Sequence, residues 1–256
     1  MFIIANWKMN PESADKALDL FANEVKWLDW LPQNKKHKII ICPPFIWLYP
    51  VWQQCQKYLS GNVALGAQNL SDQDRGPHTG EISATMLKDV GCKYVMVGHS
   101  ERRKLGEVDH IINQKIKIAL KADLIPILCI GETKYQRKNN QTKNVIKRQL
   151  KIDLRNTQFN KTKEIVIAYE PIWAIGKIGQ ETIGSDEVFK IKEFIKNIVS
   201  VILVQKNIKV SVLYGGSVDS KNVNNFIGTK LMDGVLVGTS SLDHKEFIAI
   251  NKAASS

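Results

Sequence analysis

Short apolar, β-branched runs recur along the whole chain, each bounded by turn residues. They begin near Phe2, Lys38, Asn62, Lys93, Ile125, Glu164, Lys209 and Asp233. Several, such as Ile39-Ile40-Ile41 and Val95-Met96-Val97, are apolar at every position. That pattern suits strands buried on both faces, as in a parallel sheet, rather than half-exposed strands that alternate. Between the runs the spacing changes to that of helices. Ala14, Ala17, Leu18, Phe21, Val25 and Leu28 form one stripe, with Pro11 near its start. Val188, Ile191, Ile195, Ile198, Val199 and Ile202 form another, with Ser185 as its expected N-cap. Val108, Ile111, Ile112 and Ala119 make a third stripe, and Val223, Phe226 and Ile227 a shorter one. Eight strand-to-helix alternations without a linker predict a closed (β/α)8 barrel in one domain over residues 1–256. An open doubly wound sheet is the alternative.

Composition narrows the field. The chain has 256 residues, 44% hydrophobic and 24% charged, which is ordinary for a globular protein. No apolar run approaches the ~18 residues of a membrane span. Residues 1–10 lack the basic start of a signal peptide. Cys42, Cys55, Cys92 and Cys129 include no Cys-x-x-Cys pair and are too sparse for a disulfide framework, so a cytoplasmic protein is expected. The formal net charge is +11. Lys143, Lys147, Lys151 and Arg155 recur every fourth residue and share one helix face. With no aromatic residues interleaved among them, a solvated outer face is favoured over a nucleic-acid surface.

In such a barrel the functional site lies where strands end and βα loops begin. Those positions read Asn6-Trp7-Lys8, Gly66-Ala67-Gln68-Asn69, Gly98-His99-Ser100-Glu101-Arg102-Arg103, Tyr169-Glu170-Pro171, Tyr214-Gly215-Gly216-Ser217 and Gly238-Thr239-Ser240. Taken singly, a histidine, a lysine, a glutamate or a glycine turn is more often structural. Together at one mouth they suit one chemistry. Glycine-bearing turns, with a short helix after Ser240, offer backbone N–H groups to a phosphate. A carboxylate, a histidine and a lysine beside it suit proton abstraction next to a carbonyl. No cluster has metal-ligand spacing, and no Gly-x-Gly-x-x-Gly follows the first strand, so neither metal nor dinucleotide is indicated. Ser100-Glu101-Arg102 reads as the first turn of a short helix, beside which His99 is expected to act as a neutral imidazole.

Four segments resemble the signatures of the triosephosphate isomerase family, across residues 2–250. They are Asn6-Trp7-Lys8-Met9-Asn10, residues 97–103 around His99, residues 168–176 around Glu170, and Tyr214-Gly215-Gly216-Ser217. The resemblance implies a TIM barrel that interconverts glyceraldehyde 3-phosphate and dihydroxyacetone phosphate through an enediol(ate), without a cofactor, in glycolysis and gluconeogenesis. It implies Glu170 as the base, His99 as the proton shuttle, Lys8 as the fixed positive charge and Asn6 as a substrate-orienting group. Gly176, Ser217, Gly238 and Thr239 would hold the phosphate, and Glu101 would support Lys8. It also implies a homodimer through the loop containing Thr79. Two other readings are another phosphate-binding barrel enzyme and a nucleic-acid-binding protein on an inactive barrel. The chain departs from the family's pattern in three places. Lys177-Ile178-Gly179 replaces the lid's usual Thr-Gly-Lys, Gly238-Thr239 replaces paired glycines, and Gly76-Pro77-His78-Thr79-Gly80 replaces the usual third loop.

Overall fold

The computed structural model describes residues 1–27, 37–59, 61–175, 183–205, 207–228 and 231–254. Its strands are β1 (Phe2–Asn6), β2 (Lys38–Cys42), β3 (Val63–Ala67), β4 (Cys92–Val97), β5 (Ile125–Ile130), β6 (Glu164–Tyr169), β7 (Lys209–Tyr214) and β8 (Gly234–Val237). They pair in parallel, in sequence order, and β1 closes on β8 with Phe2 opposite Gly234. The open-sheet alternative is therefore set aside. Each predicted strand start falls within one residue of the observed one.

Side-chain parity explains both the core and the site. Ile4, Ile40, Cys42, Met96, Ile127, Cys129, Val166, Ala168, Leu213 and Leu236 belong to one buried cluster, which fills the barrel. Their neighbours along each strand, such as Ile3, Ile39, Ile41, Ile165 and Ile167, belong to a second cluster, packed against helices. Strands apolar at every position are what a sheet covered on both faces requires. Continuing the inward parity two residues beyond the last apolar position reaches Asn6 after Ile4, Glu170 after Ala168, Gly215 after Leu213 and Gly238 after Leu236. The barrel's own register delivers polar groups to one mouth.

The helices are α1 (Ala14–Val25), α2 (Phe45–Cys55), α3 (Ala84–Asp89), α4 (Ser100–Lys104), α5 (Asp109–Lys121), α6 (Lys134–Lys138), α7 (Thr142–Asp153), α8 (Ser185–Ile202) and α9 (His244–Ala253). Ser13 caps α1 by accepting from the Lys16 N–H at 3.4 Å. Several expectations need correction. Val108 is an exposed N-cap residue of α5, not part of its buried stripe, because the helix starts only at Asp109. Gly184 is the N-cap of α8, and Ser185 is already helical. Val223–Asn225 is a 3-10 turn rather than a helix, followed by the isolated bridge of Ile227 to Met232. The turn expected after Ser240 is a 3-10 helix that begins earlier, at Thr239, with Gly238 as its N-cap. Leu28 lies outside the described residues. The lysine face of α7 is exposed as expected: Lys143, Lys147 and Lys151, with Arg155 beyond its end, are all exposed, Lys143 Nζ lying 5.6 Å from the centroid of the Phe194 ring.

Candidate active site

One pocket at the C-terminal mouth is lined by Asn6, Lys8, His99, Glu170, Ile175, Gly215, Gly216, Ser217, Val218, Leu236, Gly238, Thr239 and Ser240. It gathers most of the residues singled out from the sequence. Gly176 and Lys177-Ile178-Gly179 lie outside the described residues.

The lysine is presented by a constrained backbone. Lys8 has φ of 54°, a region that side-chain-bearing residues seldom occupy. Surrounding bonds hold it there. Its N–H donates to Asn6 Oδ1 at 3.1 Å. Gln68 Nε2 donates to the Lys8 carbonyl at 2.8 Å and to the Cys42 carbonyl at 2.9 Å. Such strain persists where several contacts over-determine it, often at functional positions. The ammonium donates to Glu101 Oε1 at 2.5 Å. Burial works to raise the Glu101 pKa, but the hydrogen bond and charge of Lys8 outweigh it and leave the pKa below the usual value.

The histidine's tautomer follows from its partners. His99 is the N-cap of α4, and its Nδ1 accepts the Glu101 backbone N–H at 3.2 Å. A ring that accepts at Nδ1 carries its proton on Nε2. Nε2 lies 3.2 Å from Glu170 Oε1 and 3.4 Å from Asn6 Nδ2. The protonated Nε2 is thus close to the carboxylate without an aligned hydrogen bond to it, and Asn6 is a neighbour rather than its donor.

Glu170 is 2% exposed. Oε2 accepts the Ser100 N–H at 3.0 Å, in the first turn of α4. Oε1 has no well-aligned hydrogen-bond partner and lies obliquely beside the imidazole. A Cβ on Gly215 would stand 2.8 Å from Glu170 Cγ, so glycine there leaves the carboxylate its space. Opposite, Ser217 Oγ donates to the Ala174 carbonyl at 2.7 Å. The turn of Thr239–Leu242 starts at the pocket wall, where the leading N–H groups of any helical turn have no acceptor of their own. Among the described residues, no group of three His, Cys, Asp or Glu forms a metal site.

The sequence profile of the triosephosphate isomerase family matches residues 1–254. The chain belongs to the triosephosphate isomerase family. It is 41% identical over 249 residues to the triosephosphate isomerase of Aquifex aeolicus, with 97% of each chain covered. It is 40% identical over 249 residues to that of Endomicrobium trichonymphae, with 96% of each covered. The crystal structure of triosephosphate isomerase from Bartonella henselae superposes with a TM-score of 0.82 at 32% identity, over 100% of this chain and 99% of that one.

This member of the triosephosphate isomerase family also has groups at its site to which the sequence assigned no role, two of them, Gln68 and Ser100, within the strand-end segments. Gln68 secures Lys8, and the Ser100 N–H holds Glu170. Glu132, fully buried beneath the mouth, accepts from Tyr169 Oη at 3.1 and 3.0 Å and from Trp173 Nε1 at 2.7 Å. Burial raises its pKa, while Trp173, Tyr169 and the charge of Arg137 draw it back. The signal for Glu132 was present: Gly131-Glu132-Thr133 ends the fifth strand, at the same level as the other site segments.

Proposed function

We propose that the chain interconverts D-glyceraldehyde 3-phosphate and dihydroxyacetone phosphate, as an enzyme of glycolysis and gluconeogenesis, with Glu170 as the base. The observation that carries this reading is the meeting of Lys8, His99 and Glu170 in one pocket, opposite the glycine turns at 215–217 and 238–239. In this reading the phosphate rests on the backbone of Ser217, Gly238 and Thr239, with Gly176 as a further contact and Asn6 orienting the substrate. The Glu170 carboxylate leaves the Ser100 N–H, turns over Gly215 and takes the proton from the carbon beside the carbonyl. Negative charge then develops on the carbonyl oxygen. The His99 Nε2–H donates to it, and the Lys8 ammonium, set by Glu101, stabilises it. His99 then gives that oxygen its Nε2 proton and takes the hydroxyl proton from the neighbouring oxygen. Glu170 returns the first proton to the carbon that bore the carbonyl, which completes the isomerisation.

The family match does not favour the other phosphate-binding barrel or the nucleic-acid reading. A homodimer through the Thr79 loop is supported by the surface around that loop. Residues 73–81 are exposed, Met86 on α3, which follows them, is 57% exposed, and Met9 and Ile46 are 94% and 68% exposed. Apolar side chains in that number suit a partner's surface. Cys42, Cys92 and Cys129 are free and buried, in keeping with a reducing cytoplasm. No helix among the described residues is long and apolar enough to cross a membrane.

The test is isomerisation of dihydroxyacetone phosphate in D2O, followed by NMR. Proton transfer through an exchangeable carboxyl puts solvent deuterium on C2 of the aldehyde product. Absence of turnover, or turnover with no deuterium incorporated, would overturn the reading.

A further inference from the structure

Arg137 stands on α6, outside the pocket, yet it touches Trp173 in the segment that carries Glu170 and two carboxylates beside it, Glu187 and Glu132. Its guanidinium carbon lies 4.3 Å from the centroid of the Trp173 ring. Its Nη1 and Nη2 fork onto the two carboxylate oxygens of Glu187 at 2.6 and 2.9 Å. Its Nη1 also stands 3.9 Å from Glu132 Oε1, the carboxylate that receives Tyr169 Oη and Trp173 Nε1. Tyr169 and Trp173 lie on either side of Glu170 in the chain. The turn between them is bonded to the fifth strand by the Glu170 N–H to the Ile130 carbonyl at 2.7 Å and by the Ile172 N–H to the Glu132 carbonyl at 3.1 Å.

We propose that Arg137 is a positioning residue for the reaction, holding Trp173 against Glu132 and thereby fixing the aim of Glu170. The inference rests on the isomerase reading above. Its physical basis is the shape of a guanidinium. The planar group uses its face for the indole and its edge for a carboxylate fork at the same time, which an ammonium cannot do. Glu187 is a suitable anchor because it sits in the first turn of the eighteen-residue α8, where a negative charge is favoured. The hydrogen bond from Arg137 in turn holds the Glu187 carboxyl below its usual pKa. The indole is thus fixed from two directions, its N–H on Glu132 and its face under Arg137. Without the arginine, Trp173 keeps one bond and gains a free face. Glu170 is three residues away along the chain, and displacement of a reacting group by a fraction of an ångström is costly. Three of the four proposed phosphate contacts, Ser217, Gly238 and Thr239, follow β7 and β8 rather than Trp173, so substrate binding changes less than turnover.

The experiment compares Arg137→Met, Arg137→Lys and Glu187→Gln with the unaltered enzyme, measuring kcat, KM and Tm. It also records the indole Nε1–H resonance of Trp173, assigned through Trp173→Phe. The expected result for Arg137→Met is a kcat lower by roughly tenfold, a KM within about twofold and a broadened or shifted Trp173 resonance. Arg137→Lys is expected to recover less than half of that loss. Glu187→Gln is expected to lower kcat less and to add nothing to Arg137→Met in the double variant. Unchanged kcat in a folded Arg137→Met protein, or full activity in Arg137→Lys, would overturn the proposal. So would a loss of kcat accompanied by an equal rise in KM. Should Arg137→Met fail to fold, Glu187→Gln decides: unchanged kcat and an unchanged Trp173 resonance would overturn it. An inactive unaltered enzyme contradicts the isomerase reading instead, and the resonance still reports on the clamp.

Discussion

The backbone N–H of Ser100 donates to Glu170 Oε2 at 3.0 Å, joining the first turn of α4 to the end of β6. The carboxylate is held on the opening of a helix, and in the proposed reaction it leaves that turn to reach the substrate carbon. Space for that turn comes from Gly215, where a Cβ would stand 2.8 Å from Glu170 Cγ. Gly215→Ala is therefore expected to lower kcat by about 10²-fold. The fold should survive, since the methyl meets a side chain at the mouth rather than the core. Steady-state kinetics beside a thermal melt check this; an alanine variant with unaltered kcat would show that Glu170 does not move through that space.

The Glu101 N–H to His99 Nδ1 bond sets a second expectation. His99 is expected as the Nε2–H tautomer at neutral pH, read from imidazole nitrogen NMR with His99→Gln for assignment. A proton on Nδ1 would break the bond from Glu101 and contradict the proposed donor at the substrate oxygen.

Gln68 is expected to matter to catalysis although it does not line the pocket. Gln68→Leu removes the donors to the Lys8 and Cys42 carbonyls. Two such bonds contribute roughly 1 kcal/mol each, so kcat/KM is expected to fall about tenfold as Lys8 relaxes from its positive φ. Kinetics on the variant and a crystal structure of its first loop check both parts. Wild-type kcat/KM with Lys8 unmoved would remove Gln68 from the account.

Asp153 gives a pH-dependent expectation for stability. Burial pushes its pKa up to about 8, against the pull of Arg103 at 3.0 Å and with the nearby charge of Asp109 adding to the rise. The folded state thus holds a proton that the unfolded state releases above the ordinary value of 3.8. By linkage, this group makes the fold progressively less stable as pH rises from about 4 to about 8, with no further change beyond. Asp153→Asn is expected to reduce that loss. Urea denaturation of both proteins at pH 5 and pH 8 measures it. An equal or steeper loss in the asparagine variant would contradict the assignment.

The fold was legible because most strand residues are buried on both faces of the sheet, which leaves unbroken apolar runs such as Ile39–Cys42 that helices do not interrupt. The inward parity then made Asn6 and Glu170 readable, each two residues beyond an apolar neighbour. Helix ends were less legible. Val108 and Ser185 each fit a helical stripe or cap by type, and only hydrogen bonding shows that α5 starts after one and α8 at the other. Contacts between loops far apart in sequence left no pattern to read. Ser100 meets Glu170 through a backbone N–H, which any residue but proline supplies. Arg137 stands between Lys134 and Lys138, and nothing in its residue type foretells the ring contact with Trp173 or the fork to Glu187.

The central claim, that Glu170 is the base, is tested most directly by Glu170→Asp. Shortening the side chain by one methylene withdraws the carboxylate by ~1 Å while keeping its charge, which is expected to lower kcat by about 10²-fold with KM little changed. The melting temperature should stay near that of the parent. The measurement is kcat for triose phosphate isomerisation in the two proteins, side by side. A hundredfold loss in a folded variant is the predicted result, and near-parental kcat in that same folded variant would contradict the account.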